Sequence, residues 1–343
     1  MKILITGGAG YIASHLIKQL LENTNYNITI LDNLSSGSIE TLETLKKIRD
    51  FNFTKLDLKE FEKVDKFLAD NNFDIIFHFA ASIIVSESVE KPLKYYMNNT
   101  VNTTNLINCA IKNGVDKFVF SSTAAVYGEP KVMPKSGIDE NYRTNPINPY
   151  GMSKLMSEQV LQDTAKAHSS FKFVIFRYFN VAGADVHYVD GVLSPRIGQV
   201  VQNATHLIKV ASEVALGVRD KISIFGEDYD TIDGSGVRDY IHVDDLALAH
   251  ILAIDYLNNS KNSSDIFNIG YGKGFSVKEV ISSMKRVTQN DFRVDIEGRR
   301  DGDPATLIAD NSKIKRVLNW KPKYDDLDLI CQSAYKWEEG IIQ

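Results

Sequence analysis

The chain has 343 residues, 43% of them hydrophobic and 24% charged, with a formal net charge of −5. This is the make-up of a globular protein with an ample core, and its acidic balance argues against nucleic acid or an anionic membrane as partner. No apolar run approaches the ~18 residues of a membrane span, and the first strand starts so early that no leader peptide is expected, so the cytoplasm is the expected location.

In chain order, Lys2-Ile3-Leu4-Ile5-Thr6 is an apolar, β-branched run that predicts a buried strand. It breaks into Gly7-Gly8-Ala9-Gly10-Tyr11-Ile12-Ala13, followed by a helical pattern through Leu16, Leu20 and Leu21 and a second strand over 27–31 that ends in Asp32. Strand, glycine turn, helix, strand and terminal acid form a βαβ unit suited to a dinucleotide. Gly7 allows the tight turn, Gly10 lets the backbone approach a pyrophosphate, and the helix N-terminus beyond offers N–H groups and a positive dipole end. Ala13 stands in the third small position. Asp32, roughly 20 residues past the turn, suits a ribose diol and repels a 2′-phosphate, which favours NAD over NADP.

The polar loop at 33–37 is followed by a helix to about residue 48, a strand over 51–56 and Asp57-Leu58, expected near an adenine ring. An amphipathic helix over 61–71 precedes a buried strand over 74–81. His78 within it reads as a core histidine bonded to backbone. Residues 91–113 predict one long helix with Leu93, Met97 and Val101 at i+4 spacing. The strand over 118–123 ends in Ser121-Ser122-Thr123. After a proline-bearing loop, Tyr150-Gly151-Met152-Ser153-Lys154 opens a helix whose Met152, Met156 and Val160 read as a packing stripe, and 173–178 is again a strand. The alternation to residue 178 predicts a doubly wound parallel sheet of Rossmann type.

From Asn180 the alternation fades. Residues 185–203 read as irregular, 206–216 as helix, 222–225 as strand and 226–236 as a polar loop. A helix to about residue 257, a strand at 267–269, a helix from Ser276 and a closing helix over 329–337 follow. The expected division is an α/β dinucleotide domain over 1–179 and a smaller, interleaved C-terminal substrate domain over 180–343, with part of 237–260 returning to the first. Cys109 and Cys331 show no metal or redox spacing and read as small buried hydrophobes. Asp228, Asp230 and Asp233 lack the glutamate of a calcium loop and read as solvated, so no metal site is expected.

The chemistry concentrates on Thr123, at a strand's carboxyl end, and on Tyr150 and Lys154, one helical turn apart. A phenol near pKa 10 is a poor base at neutral pH. A neighbouring ammonium, helped by the charge of an oxidised nicotinamide, stabilises the phenolate, and the Thr123 hydroxyl can share the substrate's proton.

These residues, with Thr6-Gly7-Gly8-Ala9-Gly10-Tyr11-Ile12, His78-Phe79-Ala80-Ala81, Tyr95-Tyr96-Met97-Asn98-Asn99, Arg177-Tyr178-Phe179-Asn180, Gly236-Val237-Arg238-Asp239-Tyr240-Ile241-His242-Val243 and Asp301-Gly302-Asp303, give the chain its resemblance. Over essentially its whole length it resembles the extended short-chain dehydrogenase/reductase family, and within it the branch of UDP-galactose (UDP-glucose) 4-epimerases. The resemblance implies Tyr150 as base, Lys154 as its activator and ribose anchor, and Thr123 as proton-sharing partner. It implies that Gly7, Gly10, Tyr11, Ile12, Asp32, Asn33, Asp57, Leu58, Phe79, Ala80, Ala81, Asn98, Ser121 and Phe179 surround NAD together with Tyr150 and Lys154. Asn180, Leu207, Phe225, Arg238, Arg300 and Asp303 would hold a UDP-sugar, and Leu307 would gate the space beside the sugar's C2 substituent. Leucine there leaves room for an N-acetyl group. Ala13, Ile83 and His206 depart from the residues usual in the family.

The implied reaction inverts C4 of a UDP-hexose through a transient 4-keto sugar, in a homodimer. The rivals are a nucleotide-sugar 4,6-dehydratase and a non-catalytic NAD-binding regulator. A dehydratase needs an acid and a base directly after the hydroxyl, where this chain has Ala124-Ala125, and the full Thr123, Tyr150 and Lys154 set speaks against a regulator.

Overall fold

The structure is a computed structural model that describes the whole chain except residues 131, 201–204, 260, 262, 301, 302 and 343. It divides into two compact units. The first comprises Met1–Gly128, Tyr142–Tyr178 and Ala249–Phe267; the second comprises Glu129–Asn141, Phe179–Leu248 and Asn268–Gln343.

The first unit is built in chain order from β1 (Lys2–Thr6), α1 (Tyr11–Asn23), β2 (Asn27–Asp32), α2 (Ile39–Lys46), β3 (Asn52–Lys55), α3 (Phe61–Asn71) and β4 (Ile75–His78). These are followed by α4 (Val85–Glu90), α5 (Pro92–Tyr95), a π-helical segment at Tyr96–Val101, α6 (Asn102–Lys112), β5 (Lys117–Thr123), α7 (Pro149–Ala167) and β6 (Lys172–Tyr178). In the seven-stranded sheet the order is the strand Asp265–Ile269, then β6, β5, β4, β1, β2 and β3. The pairings from β6 through to β3 are parallel. The chain winds outward from β1 through β2 and β3, then restarts at β4 on the other side of β1. The carboxyl ends of β1 and β4 are therefore the switch point at which ligands bind in such sheets. Strands covered on both faces must be apolar almost throughout, and Leu4, Leu31, Ile76, Phe118, Phe120 and Ile175 meet Val64, Leu68, Leu106, Ile107 and Leu161 of the helices in one buried cluster.

The single helix expected over 91–113 is instead three pieces joined through a π segment. Leu93 and Met97, at the four-residue spacing, face solvent at 77% and 58% exposure. Of the packing stripe expected on α7, Val160 packs against the buried cluster and Met152 is half-buried, while Met156 is exposed. His78 is buried as expected, but it bonds two side-chain hydroxyls and not backbone: Thr6 Oγ1 at 2.6 Å and Thr103 Oγ1 at 2.7 Å. Burial pushes its imidazole down to about 3.

In the second unit, Asn180–Ala182 pairs in parallel with Tyr240–His242, and Ile222–Phe225 pairs in parallel with Val294–Glu297. Val237–Arg238 runs between Phe275–Ser276 (antiparallel) and Thr306–Leu307 (parallel). The stretch expected to be irregular contains a hairpin, Tyr188–Val189 with Val192–Leu193. Its turn residues Asp190 and Gly191 both have positive φ, the conformation a tight hairpin turn requires; residues 201–203 of that stretch lie outside the described residues. Residues 129–141, which the sequence reading leaves with the first domain, group with the second unit because their backbone is satisfied there. Ile138 N donates to Ile308 O at 2.8 Å, and Ile138 O accepts from Asp310 N at 2.8 Å. Among the described residues, no helix is long and apolar enough to cross a membrane.

Candidate active site

At the end of β1 the two motif glycines are constrained differently. Gly7 has φ +72°, and a Cβ there would come within 2.6 Å of Ala80 N, so the turn has no room for a side chain. Gly10 has an ordinary extended conformation (φ −82°, ψ 166°). A Cβ on it would meet only Gly7 O, at 3.1 Å. Gly10 is also the N-cap of α1, with no side-chain cap and no acid in the first turn. The N–H groups of Tyr11 and Ile12 therefore open a helix end that suits an anion. Ala13, 1% exposed, fills the small position behind them.

Asp32 is buried at the end of β2 and accepts from Ala9 N at 3.0 Å and Leu34 N at 2.7 Å. Burial raises its carboxyl, and the two amides pull part of the way back. Asn33 donates to Asp57 Oδ2 at 3.0 Å. Asp57 lies below its ordinary value: burial raises it, but hydrogen bonds from Lys59 and Asn33 outweigh that. The Leu58 side chain, expected beside an adenine, packs in the core with Leu31, Leu56 and Val64.

Phe79 N bonds Thr6 O at 3.0 Å, which carries Phe79, Ala80 and Ala81 away from the strand end beside the glycine turn. The π segment turns two neighbouring asparagines toward the next residue. Asn98 Nδ2 donates to Ser82 Oγ at 3.0 Å, while Asn99 accepts from Ser82 N at 2.8 Å and donates to Ser82 O at 2.9 Å. π insertions of this kind occur often at functional sites. Phe179 is buried, its N–H bonding Ile269 O at 3.1 Å. A helix end with no side-chain cap, over a glycine at which a Cβ would meet only Gly7 O among the described residues, with a carboxylate at the neighbouring strand end, fits a dinucleotide.

α7 starts at Pro149 with Asn148 as cap, its side chain accepting from Gly151 N at 2.9 Å. This fixes the first turn, which carries Tyr150. The phenol is hydrogen-bonded by Thr123, and burial raises it while that bond lowers it, leaving it above its ordinary value. Thr123 Oγ1 also accepts from Ala125 N at 3.1 Å. Tyr95 stands edge-on to Tyr150 with ring centroids 6.4 Å apart. One turn on, Lys154 is 3% exposed. Its Nζ donates to Ser121 O at 2.7 Å and lies 4.9 Å over the Phe120 ring. Burial pushes the ammonium down to about 7, against an opposing push from Glu158.

The sequence reading missed what stands behind this pair. Glu158 accepts from Ser122 Oγ and from Arg177, whose Nη2 reaches Oε2 at 2.7 Å. Arg177 also donates to Tyr127 OH at 2.9 Å. An arginine inside the otherwise apolar Phe173-Val174-Ile175-Phe176-Arg177 run was the available signal, since a buried cation demands a partner.

In the second unit, Arg238 Nη2 donates to Asp303 Oδ1 at 2.8 Å. Leu307 is 8% exposed and paired in register with Arg238. The Arg300 guanidinium sits 3.5 Å over the Phe225 ring. Asn180, at the start of its strand, is exposed, with its N–H on Asp239 O at 2.9 Å. Leu207 is the first residue of a helix that has no side-chain cap and no acid in its first turn. Asp301 and Gly302 lie outside the described residues.

The model of the NAD dependent epimerase/dehydratase family matches residues 3–270. The UDP-glucose 4-epimerase of Azospirillum brasilense is 46% identical over 342 residues, covering 100% of this chain and 93% of its own. Among solved structures, the UDP-Glc/GlcNAc 4-epimerase from the human pathogen Campylobacter jejuni matches with a TM-score of 0.85 and 55% identity over 99% of each chain. The UDP-glucose-4-epimerase of Stenotrophomonas maltophila, with bound NAD and formylated UDP-arabinopyranose, matches with a TM-score of 0.93 and 34% identity, over 100% of this chain and 99% of its own.

Proposed function

This chain belongs to the NAD dependent epimerase/dehydratase family, and from that premise we propose that it inverts C4 of UDP-glucose and UDP-galactose, reversibly and with NAD held throughout. The observation that carries the reading is the Thr123–Tyr150–Lys154 set at the end of β5, in the same unit as the uncapped glycine turn. Gly7, Gly10, Tyr11, Ile12, Asp32, Asn33 and Asp57 would hold the adenosine and pyrophosphate. Phe79, Ala80, Ala81, Asn98, Ser121, Lys154 and Phe179 would surround the rest. Bound there, NAD would supply the hydride acceptor, and then donor, for C4.

Tyr150, as phenolate, takes the proton of the sugar 4-hydroxyl and becomes the neutral phenol, while the Thr123 hydroxyl hydrogen-bonds the same substrate oxygen. In the chain alone the phenol lies above its ordinary value. Its acidification therefore needs Lys154 as an ammonium together with the oxidised cofactor's charge. The planar 4-keto sugar must turn over between the two transfers, so its anchor has to be elsewhere in the substrate. Arg238 and Arg300 suit a diphosphate, and Asn180, Leu207, Phe225 and Asp303 complete the proposed UDP-holding set.

Ala124 and Ala125 cannot transfer protons, which disfavours dehydration. Leu307 in place of a larger aromatic residue leaves space beside C2, and we extend the proposal to UDP-N-acetylglucosamine and UDP-N-acetylgalactosamine. The exposed row of Val89, Leu93, Met97 and Met156 supports a homodimer in which a second copy covers it; sedimentation of Leu93→Asp should then report a monomer.

The test is incubation of purified protein with UDP-galactose and no added NAD. UDP-glucose should accumulate to equilibrium, and NAD should be released on denaturation. No product would remove the proposal, whereas a 4-keto-6-deoxy product would transfer it to the dehydratase.

A further inference from the structure

We propose that Glu158 is a positioning residue for this reaction, tying the end of β5 to the face of α7 that carries Tyr150 and Lys154. The inference rests on the Tyr150–Lys154 reading above and concerns residues that reading leaves without a role.

Tyr150, Lys154 and Glu158 follow one another at four-residue spacing and share a helix face. Each meets a successive group at the strand end. Tyr150 meets the Thr123 hydroxyl, Lys154 donates to Ser121 O at 2.7 Å, and Glu158 accepts from the Ser122 hydroxyl. Ser122 thus lies between the two residues that hold the acid–base pair, and a shift of Ser122 moves both. Arg177 lies directly opposite Ser122 in the β5–β6 register. It grips the same carboxylate through Nε at 3.1 Å and Nη2 at 2.7 Å, and Tyr127 receives its third N–H. Two strands and one helix converge on a carboxylate that is 0% exposed.

A carboxylate at this depth is costly, and a purely apolar contact would hold the same elements at least as well. Its charge has a further consequence. Glu158 opposes the burial that drives Lys154 down, and so favours its ammonium form. The other titratable groups around the pair are Tyr150 on α7, Arg177 and Tyr178 on β6, Tyr127 after β5, Tyr95 on α5 and His78 on β4. His78 is held neutral by burial, so it adds no charge beside Lys154.

The experiment measures kcat, KM and their pH profiles for the NAD-loaded full-length protein as wild type, Glu158→Gln, Glu158→Gln/Arg177→Gln and Ser122→Ala, with Tyr150→Phe in the same assay. Glu158→Gln should retain NAD and keep KM within about twofold, while kcat falls roughly 10–100-fold, as expected for a misplaced reacting group. Its high-pH limb, where Lys154 loses its proton, should move to lower pH. The double variant removes the unpaired Arg177 cation. It should recover melting temperature but not wild-type kcat, and it retains the chain-level test if the single variant fails to fold. Ser122→Ala should lower kcat severalfold without moving the limb.

A Glu158→Gln protein that melts lower but turns over with wild-type kcat and pH profile would overturn the proposal, as would full recovery of both in the double variant. An undiminished Tyr150→Phe would instead overturn the underlying assignment of the base.

Discussion

The two units hold their functional side chains by opposite means. In the first, Lys154, Thr123, Ser122 and Glu158 are all less than a tenth exposed and joined by hydrogen bonds from three elements. In the second, Arg238 donates to Val237 O at 2.9 Å and to Asp303, whose side chain is 43% exposed, and Arg300 lies over the Phe225 ring. A buried polar network is stiff, because an unmet partner in a low-dielectric interior costs about 1–3 kcal/mol. A solvent-accessible ion pair contributes about 0–1 kcal/mol and can be exchanged for a ligand's phosphates. Proton transfer needs the first arrangement; binding and releasing a charged substrate needs the second.

This contrast can be broken by substitution. The largest effect should come from Tyr150→Phe, which removes the proposed base: we expect kcat to fall about 10³-fold with NAD retained and KM little changed. Full activity would show that proton transfer does not depend on the buried set. Next, Arg238→Ala should raise KM for UDP-galactose about 10–100-fold, the worth of a charge-assisted hydrogen bond, with kcat near wild type. A collapse of kcat at constant KM would mean that the second unit also positions the reacting sugar.

Smaller still, Leu307→Tyr should raise KM for UDP-N-acetylglucosamine about tenfold or more, the order of one misfit group in a pocket, and leave UDP-glucose alone. Equal changes for both sugars would remove the gating role. The mildest test concerns stability. His78 titrates near 6.5 unfolded and is held down to about 3 when folded. Below pH 6.5 the unfolded chain takes up a proton that the folded one refuses, so this group's contribution is lost as pH falls from 6.5 toward 3. Urea midpoints of His78→Gln should fall less steeply across that window than those of wild type. Parallel slopes would show that other groups govern acid unfolding.

What could be read without the fold is what short-range physics governs. The Gly7 turn, the helix after Gly10, the acid closing β2 and the four-residue step from Tyr150 to Lys154 follow from backbone sterics and from the 2.0 and 3.6 periodicities, which act over a few residues. The mismatches lie where neighbours decide. The single helix expected over 91–113 is broken by a π segment at Tyr96–Val101. Residues 129–141 join the second unit through Ile138.

The partner of Glu158 is the clearest case. Ser122 is 36 residues before it and Arg177 is 19 after, and no local pattern links the three. Sequence alone determined the nucleotide-binding frame and the acid–base pair, since each is written within one or two turns of chain. Only the tertiary structure decided which buried charge stands behind that pair, because strand register and helix docking select partners across distances that propensity does not reach.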